Sequence, residues 1–222
     1  MIISIDGPAA SGKSTTAKII AEKLDLMYLD TGAMYRAVAL YLSQHNIDFK
    51  DFLALESSLD KISISFIYKN SQNHIILNGE DVSNSIRTPE ITKLSSNIAT
   101  IKIIRKKMVE AQRKLAEDQN VILEGRDVGT VIFPNADIKF YLTASLDSRA
   151  KRRLIEMSER GINIDIEDIK QDLIWRDQND SNREEAPLKK AEGAIEVNTT
   201  NLTIEEQVNL ILKYINKWVD RQ

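Results

Sequence analysis

The stretch GPAASGKST, residues 7–15, constrains the fold and chemistry of this chain more than any other part of it. Four of its residues have the spacing G-x-x-x-x-G-K-[ST]: Gly7, Gly12, Lys13 and Ser14. A β-branched run precedes the stretch, and residues 15–24 after it carry apolar side chains at helical spacing. A strand, a glycine-rich loop and a helix in this order are the context in which the motif cradles phosphate groups.

Each residue type in this loop has a part in holding phosphate. The glycines allow backbone angles that turn consecutive N–H groups toward an anion, and the following helix adds partial positive charge. Lys13 supplies a mobile charge for the β- and γ-phosphates, and the Ser14 hydroxyl can ligate Mg²⁺. The alternative is a glycine-rich turn that needs no ligand. We predict that a nucleoside triphosphate is bound by Gly7, Pro8, Ala9, Ala10, Ser11, Gly12, Lys13, Ser14 and Thr15.

The composition excludes several other kinds of chemistry. The chain has 222 residues, no cysteine and two histidines, which excludes disulfides and thiolate zinc sites and disfavours histidine-rich metal sites. Its formal net charge of -3 gives no reason to expect binding to nucleic acid or anionic lipid. No apolar run approaches the ~20 residues that a membrane span requires, and no secretory signal is visible. We therefore expect a soluble, cytoplasmic protein without nucleic-acid or membrane partners.

Strand-like and helical patterns alternate along the chain. Short apolar strands are predicted at Ile2–Ile5, Leu26–Leu29, Val121–Leu123, Ile138–Leu142 and Ala194–Val197. Helices are predicted at about 13–24, 33–45, 101–118, 147–158 and 203–219. This alternation predicts an α/β fold with a parallel sheet, whose ligands bind beyond the carboxyl ends of the strands.

Two segments depart from the alternation. Residues 62–83 have the pattern of two or three strands joined by turns at Asn70–Asn73 and Asn78-Gly79, which predicts a small antiparallel insertion. Residues 148–190 are dense in charge and open with three arginines: Arg149, Arg152 and Arg153. No repeat or flexible linker is visible, so we expect a single domain over residues 1–222.

The loop after the second predicted strand reads DTGAMYR. Asp30 and Thr31 can cap a helix that begins near Ala33, and capping alone would explain them. Arg36 lies one turn into that helix, where it either meets an anion bound at the strand ends or is simply solvated.

The loop after the third predicted strand contains three charged residues within four consecutive positions. Glu124 is interpreted as the acid that follows a Walker-B-like strand, assisting Mg²⁺ through water, and Arg126 and Asp127 follow it. Charges near apolar strands are costly unless a partner compensates them. That partner is either a bound ligand or, if Arg126 and Asp127 pair with one another, the loop itself.

A fourth constellation lies in WRDQNDSNR, residues 175–183. Arg176, Asp180 and Arg183 fall on one helical face if a helix continues through them. The ordinary interpretation of such spacing is a solvated ladder of salt bridges, and the alternative is a binding site. Ser96 and Arg105 have no local signature.

Six motifs in this order resemble the bacterial cytidylate kinase (CMP kinase) family of nucleoside monophosphate kinases. They are GPAASGKST, DTGAMYRA, SIRTPEI, EGRDVGTVIFPNA, RAKRR and RDQNDSNREEAPL. The resemblance runs from Ile2 to about Lys217, and GRDxGTxxFP combined with RDxxDxxR is much more specific than the phosphate loop alone.

The resemblance implies a three-layer P-loop fold with a five-stranded parallel sheet and a small antiparallel β subdomain. This inserted CMP-binding subdomain would span about 62–95, and a helical lid 149–164. It also implies a monomer that uses ATP and Mg²⁺ to phosphorylate CMP and dCMP. ATP would further be contacted by Arg149, and the catalytic residues would be Lys13, Arg126, Arg176 and Arg153.

The implied substrate residues fall into three sets. Arg36, Arg126 and Arg176 would hold the CMP phosphate, and Asp180 with Arg176 would meet the ribose. The cytosine and its surroundings would be contacted by Ser96, Arg105, Asp127 and Arg183, and Thr31 is a further substrate residue. The lid arginines Arg149, Arg152 and Arg153 resemble the set that closes over ATP.

Two rival functions remain open at this point. One is a P-loop kinase for UMP or AMP, and the other is a P-loop regulator that hydrolyses nucleotide slowly and signals to a protein. The guanosine-specifying N-K-x-D tetrad is absent from the sequence, which disfavours a GTPase switch. Three residues depart from the family pattern, since Glu124 stands where many relatives carry Asp, and Gly193 and Asn198 stand where aspartates are expected.

Overall fold

The computed structural model describes residues 1–69 and 72–221, which form two compact units. Unit 1 comprises Met1–Tyr28 and Gln119–Gln222, and unit 2 comprises Leu29–Asp118. The strands are β1 (Ile2–Asp6), β2 (Met27–Asp30), β3 (Ile64–Lys69), β4 (Gln72–Leu77), β5 (Glu80–Asp81), β6 (Val121–Gly125), β7 (Ile138–Thr143) and β8 (Ile195–Asn198). The α-helices are α1 (Lys13–Leu24), α2 (Thr31–Gln44), α3 (Phe52–Leu59), α4 (Pro89–Ile98), α5 (Lys102–Leu115), α6 (Leu146–Glu159), α7 (Ile166–Asn182) and α8 (Ile204–Val219).

A five-stranded sheet of order β2-β6-β1-β7-β8 carries the fold, and this confirms the predicted α/β class. The observed pairs β1 with β6, β1 with β7, and β7 with β8 are all parallel. All five predicted strands are present to within two residues at either end. In this register Asp6, the last residue of β1, lies opposite Gly125 on one side and Tyr141 on the other.

The core of unit 1 forms where α1 and α8 pack on this sheet. Its buried side chains include Ile3, Ile5, Ile20, Ile122, Phe140 and Ile211. The alternating apolar positions of β7 bury one face, whereas β6 is buried throughout, as expected for the inside of a parallel sheet. Helix α8 begins at a capping box in which Thr203 and Glu206 exchange hydrogen bonds, and this fixes its first turn.

The antiparallel insertion predicted for residues 62–83 is also confirmed. Strands β3, β4 and β5 form a three-stranded antiparallel sheet in unit 2. Asn78 and Gly79 have φ angles of 50° and 88°, the left-handed values that a tight hairpin turn requires. Of the turn predicted at Asn70–Asn73, residues 70 and 71 lie outside the described residues.

Three helices were not among the predicted ones: α3, α4 and α7. Helix α7 occupies much of the charge-rich segment, and only Ile169, Leu173 and Asp180 along it are buried. So narrow a buried stripe gives little periodic signal. The segment 149–164, predicted to be a lid, contains most of α6 and the loop that leads to α7. Within the described part of the chain, no helix combines the length and apolar character needed to cross a membrane.

Candidate active site

The phosphate loop joins β1 to α1 in the conformation that its glycines require. Gly7 has φ +147°, and a Cβ atom there would lie 2.1 Å from the backbone oxygen of Leu142, so no other residue fits. Gly12 is the N-cap of α1, provides no side-chain cap, and is followed by a first turn without acidic residues. The helix start therefore offers its N–H groups and its dipole to an anion.

Two side chains that the sequence analysis missed support this loop. Thr199, which is fully buried, has its hydroxyl oxygen 2.9 Å from the backbone oxygen of Ser11 and 3.0 Å from that of Thr143. Gln207 on α8 donates to the backbone oxygen of Gly12 at 3.4 Å and also bonds to Thr16. Side chains from distant parts of the chain thus bond to the carbonyl groups of the loop.

Lys13 is buried at the base of the loop. Its Nζ donates to the backbone oxygen of Pro8 at 2.8 Å. Burial, reinforced by the positive charge of Arg126, lowers the pKa of Lys13 to about 7. An anion at this position would reverse the shift, because the charged form of the lysine would gain a partner.

Asp6 precedes the loop and was not among the predicted site residues. Its carboxylate accepts from the backbone N–H groups of Val128 at 2.9 Å and Gly129 at 2.7 Å. These residues begin a π-helical turn, Val128–Ile132, directly after the Arg126–Asp127 segment. Burial raises the pKa of Asp6 to about 6 despite the two hydrogen bonds and the nearby Lys13.

A network of opposite charges links the loop after β6 to the end of α7. Arg126 donates to Asp180 through Nε at 2.7 Å, and their side chains are 21% and 12% exposed. Arg183 lies 3.9 Å from Asp180 and 3.6 Å from Asp127. Burial alone would raise the pKa of Asp180, but Arg126, followed by Arg183 and Arg176, holds it below its usual value.

Helix α7 ends at Asn182, so Arg183 is its C-cap and not part of the helix. The predicted single helical face through residues 176, 180 and 183 therefore holds only for the first two. Arg176 is largely buried, and burial together with the charge of Arg126 lowers its pKa to about 10. Its ion-pair distance to Asp172 is 3.9 Å. A guanidinium group whose charged form is disfavoured by burial and by a second guanidinium would gain from a bound anion.

The three arginines of α6 have different partners. Arg149, 6% exposed, pairs with Asp177 at 2.7 Å and donates to the backbone oxygen of Ala9 in the phosphate loop at 3.3 Å. Arg152 bonds to the hydroxyl and the backbone oxygen of Thr199. Arg153 pairs with Glu156 on its own helix at 2.7 Å. Arg149 is thus the α6 arginine that directly contacts the loop in this structure.

The departures from the family pattern have local explanations. Glu124 is buried and accepts from the hydroxyl of Tyr28 at 2.6 Å. The side-chain oxygen of Asn198 accepts from the backbone N–H of Thr200 at 3.0 Å, a bond that an aspartate would also make. Gly193 has φ +72° with open space around a Cβ position, so a side chain there meets backbone strain and no clash.

The candidate residues of unit 2 are grouped around α2. Asp30 is the N-cap of this helix and accepts from the N–H of Ala33, as predicted, while Thr31 is its first residue. Arg36 is not simply solvated, since it forms an ion pair with Asp30 at 2.9 Å in which both side chains are 22% exposed.

The remaining two candidates of unit 2 lie on α5 and α4. Arg105 is 5% exposed, stacks over the ring of Tyr35 at 5.9 Å and donates to the backbone oxygen of Ala99 at 3.2 Å. Ser96 donates to the backbone oxygen of Thr92 at 3.4 Å. Burying an arginine on a helix is costly and gives Arg105 a distinctive environment that the sequence does not reveal.

Among residues 1–69 and 72–221, no group of three or more histidine, cysteine or acidic side chains could hold a metal ion. This does not conflict with Mg²⁺ use, because Mg²⁺ in kinases is held mainly by substrate phosphates, water and one or two protein groups. Ser14, exposed at the start of α1, fits such a role.

A glycine-rich phosphate loop after the central strand of a parallel sheet, with buried arginines at the same strand ends, defines an α/β protein of the P-loop class. The cytidylate kinase family profile matches residues 3–217, so the chain belongs to the cytidylate kinase family and is a phosphotransferase. The cytidylate kinase of Lactobacillus johnsonii is 49% identical, with 98% of this chain and 94% of that protein covered. That of Fusobacterium nucleatum is 48% identical, with 98% of each covered.

A solved structure agrees with the fold. An uncharacterized protein from Eubacterium ventriosum matches with a TM-score of 0.52 over 97% of this chain and 98% of that chain. The sequences are 14% identical, so the likeness concerns the fold alone.

Proposed function

We propose that this protein transfers the γ-phosphoryl group of ATP to CMP and dCMP, giving CDP or dCDP and ADP. The observation that carries the proposal is the pair of largely buried guanidinium groups, Arg126 and Arg176, in the unit that holds the phosphate loop. Burial and the positive charge of Arg126 lower the pKa of Arg176, and a bound dianion would offset both effects. The family membership supports a cytidine nucleotide as the acceptor.

Two polyanions must approach one another in this reaction, and positive charge offsets their repulsion. Arg36, Arg126 and Arg176 are proposed to bind the phosphate of CMP. Planar guanidinium groups can hold two phosphate oxygens at once, which fixes direction as well as distance. Lys13 is proposed to bind the β- and γ-phosphates of ATP, regaining its full charge as it does so.

The base and ribose are assigned to polar side chains. Ser96, Arg105, Asp127 and Arg183 are proposed to surround the cytosine, with Thr31 as a further substrate contact. Asp180 with Arg176 is proposed to meet the ribose. Cytosine presents an amino donor and a ring acceptor that uracil replaces with an acceptor and a donor, so this set should disfavour UMP.

The triphosphate side is assigned to residues 7–15 and to α6. The contact of Arg149 with Ala9 supports its place beside the nucleotide, and Arg153 is proposed to reach the transferred phosphate. Mg²⁺, when bound through Ser14 and the phosphates, would neutralise part of the charge that develops during transfer. We further propose that the protein is a monomer, as the family resemblance implies, and that it is cytoplasmic.

In the transfer step an oxygen of the CMP phosphate forms a bond to the γ-phosphorus, and the bond from that phosphorus to the β–γ bridging oxygen breaks. The CMP phosphate is ionised at neutral pH, so no strong general base is needed. The residues contribute alignment and charge stabilisation, which dominate phosphoryl transfer. Exclusion of water from the site prevents hydrolysis of ATP.

The test is coupled ADP release with Mg-ATP and CMP, dCMP, UMP or AMP in turn. Strong turnover on CMP and dCMP alone is expected. Turnover on UMP or AMP instead would overturn the base assignment while retaining the phosphate chemistry. No turnover on any acceptor, with slow ATP hydrolysis, would favour a P-loop regulator.

A further inference from the structure

Asp6 occupies the junction between the two loops to which the phosphate chemistry is assigned. It is the last residue of β1, it is 2% exposed, and Gly7 of the phosphate loop follows it directly. Its two carboxylate oxygens accept separate N–H groups, Oδ1 from Val128 and Oδ2 from Gly129. Asp6 therefore directly precedes the phosphate loop and bonds to the residues that follow the Arg126–Asp127 segment.

The Arg126–Asp127 segment is flanked at both ends by residues that lie next to Asp6. At its start, Gly125 on β6 lies opposite Asp6 in the register of the parallel pair. At its end, Val128 and Gly129 bond to the Asp6 carboxylate. The two residues between these points form a short bridge over Asp6. Any change in the carboxylate is expected to move the Arg126 backbone.

The phosphate loop has other supports, and this makes the effect of Asp6 selective. Thr199 and Gln207 contact the carbonyls of Ser11 and Gly12. Gly7 is held between strands, with the Leu142 backbone against it. The loop with Arg126 also has side-chain contacts, since Arg126 bonds to Asp180 and Arg183 lies near Asp127, but the bonds to Asp6 hold its backbone.

The buried carboxylate of Asp6 is not an arrangement that folding stability alone would favour. Burying a carboxylate costs free energy that two backbone hydrogen bonds offset only in part, and burial accordingly raises the pKa of Asp6 to about 6. At neutral pH the carboxylate is ionised next to Lys13, whose charge it favours. A buried charge that lowers stability and lies beside reacting groups indicates a functional role.

We infer that Asp6 is a positioning residue for phosphoryl transfer, because its carboxylate holds the Arg126–Asp127 segment in fixed register with the phosphate loop. It acts through Arg126 and touches no substrate. The inference rests on the proposed function, in which Arg126 binds the acceptor phosphate.

The first test is the variant Asp6→Asn, which keeps the shape but turns an amide NH₂ toward one of the two N–H donors. We expect normal far-UV circular dichroism, a KM for CMP raised about tenfold or more because small misplacements are costly, and a much smaller change in the KM for ATP. Asp137→Asn is the matched control, since Asp137 also accepts a backbone N–H, from Ile2 at 2.7 Å, at the exposed beginning of the same strand. The control should leave both KM values unchanged.

A double-mutant cycle separates positioning from mere support of the fold. In the Arg126→Ala background, Asp6→Asn should have little further effect on kcat/KM for CMP, because the residue through which it acts is gone. Additive effects, or equal losses for CMP and ATP, would overturn the inference. If Asp6→Asn does not fold, Asp6→Ser, which keeps one acceptor, enters the same cycle under the same criteria.

The outcomes also distinguish this inference from the proposed function. If the wild-type protein turns over no CMP, the proposed function fails before any variant is compared. If the wild-type protein is active and Asp6→Asn retains its KM for CMP, the proposed function stands and the positioning role is wrong.

Discussion

Two aspartates, one in each unit, accept backbone N–H groups and yet have carboxyl pKa values shifted in opposite directions. Asp6 in unit 1 is buried, and burial raises its pKa to about 6 in spite of two such bonds. Asp81 in unit 2 has a side chain that is 48% exposed, and hydrogen bonds from Ser83 and His74 lower its pKa to about 2. Burial removes water from Asp6, whereas Asp81 stays solvated and also has the side chains of Ser83 and His74 as partners, so burial and the different donors together account for the difference.

The two aspartates differ in whether the ionised carboxylate is stabilising. An ionised Asp6 lowers stability at neutral pH relative to its protonated form, whereas an ionised Asp81 adds to it. The Arg126–Asp180 pair, with side chains 21% and 12% exposed, is more buried than the Lys107–Asp60 pair of unit 2, whose side chains are 39% and 60% exposed. The buried charges of Asp6, Arg126 and Asp180 are costly to bury, whereas the solvated Lys107–Asp60 pair needs no functional explanation.

The largest expected effect follows removal of a buried cation. Arg126→Ala should lower kcat/KM for CMP by about 100- to 1000-fold, the usual result of removing one preorganised donor. It should also lower the free energy of unfolding by about 3 kcal/mol, because Asp180 remains buried without its 2.7 Å partner. Steady-state kinetics and urea unfolding measure both.

The control for this variant is Lys190→Ala, which removes a cation from an ion pair of 2.9 Å in the same unit with side chains about half exposed. It should be nearly neutral in both measurements. Wild-type activity of Arg126→Ala at low CMP would contradict the assigned phosphate role and would leave the buried pair as a purely structural feature.

A smaller effect should appear in the pH dependence of stability. Because the folded-state pKa of Asp6 lies above its unfolded value, the folded protein binds a proton between about pH 4 and 6, and its stability relative to Asp6→Asn rises as the pH falls through this window. The gain should approach about 3 kcal/mol at most. The charged or titratable groups that act on Asp6 are Lys13, Asp127 and Tyr141. Urea unfolding of both proteins at pH 4.5 and 7.5 measures it, and a constant difference would contradict the burial argument.

A neutral buried group gives an intermediate case. Thr199→Val removes the hydroxyl next to the Ser11 carbonyl while keeping the shape, and leaves one acceptor and the Arg152 guanidinium with one partner fewer. We expect a loss of about 1–2 kcal/mol in unfolding free energy. The KM for ATP should rise more than the KM for CMP, since the hydroxyl supports the phosphate loop. A larger effect on CMP would reverse the proposed division between the two loops.

Local patterns predicted much of this architecture. The phosphate loop, the five strands and the Asn78-Gly79 turn each depend on neighbouring residues, so the sequence contains the relevant information within short windows. Helix α3 has only eight residues, and α7 buries a narrow stripe, so neither gave a clear period.

The site residues that the sequence analysis missed are held by contacts distant in sequence. Thr199 bonds to Ser11, 188 residues away, and no local spacing marks such a pair. Asp6 is the exception, because an acidic residue that ends an apolar strand directly before a phosphate loop is itself an anomaly. That signal was available in the sequence. The partners of Asp6, two backbone N–H groups, were not.

The smallest expected effect concerns Asp81. Its lowered pKa means that the ionised carboxylate stabilises the fold above about pH 4 and that this contribution is lost as the pH falls toward 2. Asp81→Asn should leave kcat, both KM values and the unfolding midpoint at neutral pH nearly unchanged, because Asn can still accept the Ser83 N–H and water screens the charge. Carbon-detected NMR titration of the two carboxyl groups tests the comparison directly. Asp6 should titrate near 6 and Asp81 near 2; if both titrate near 4, burial is not what separates the two regions.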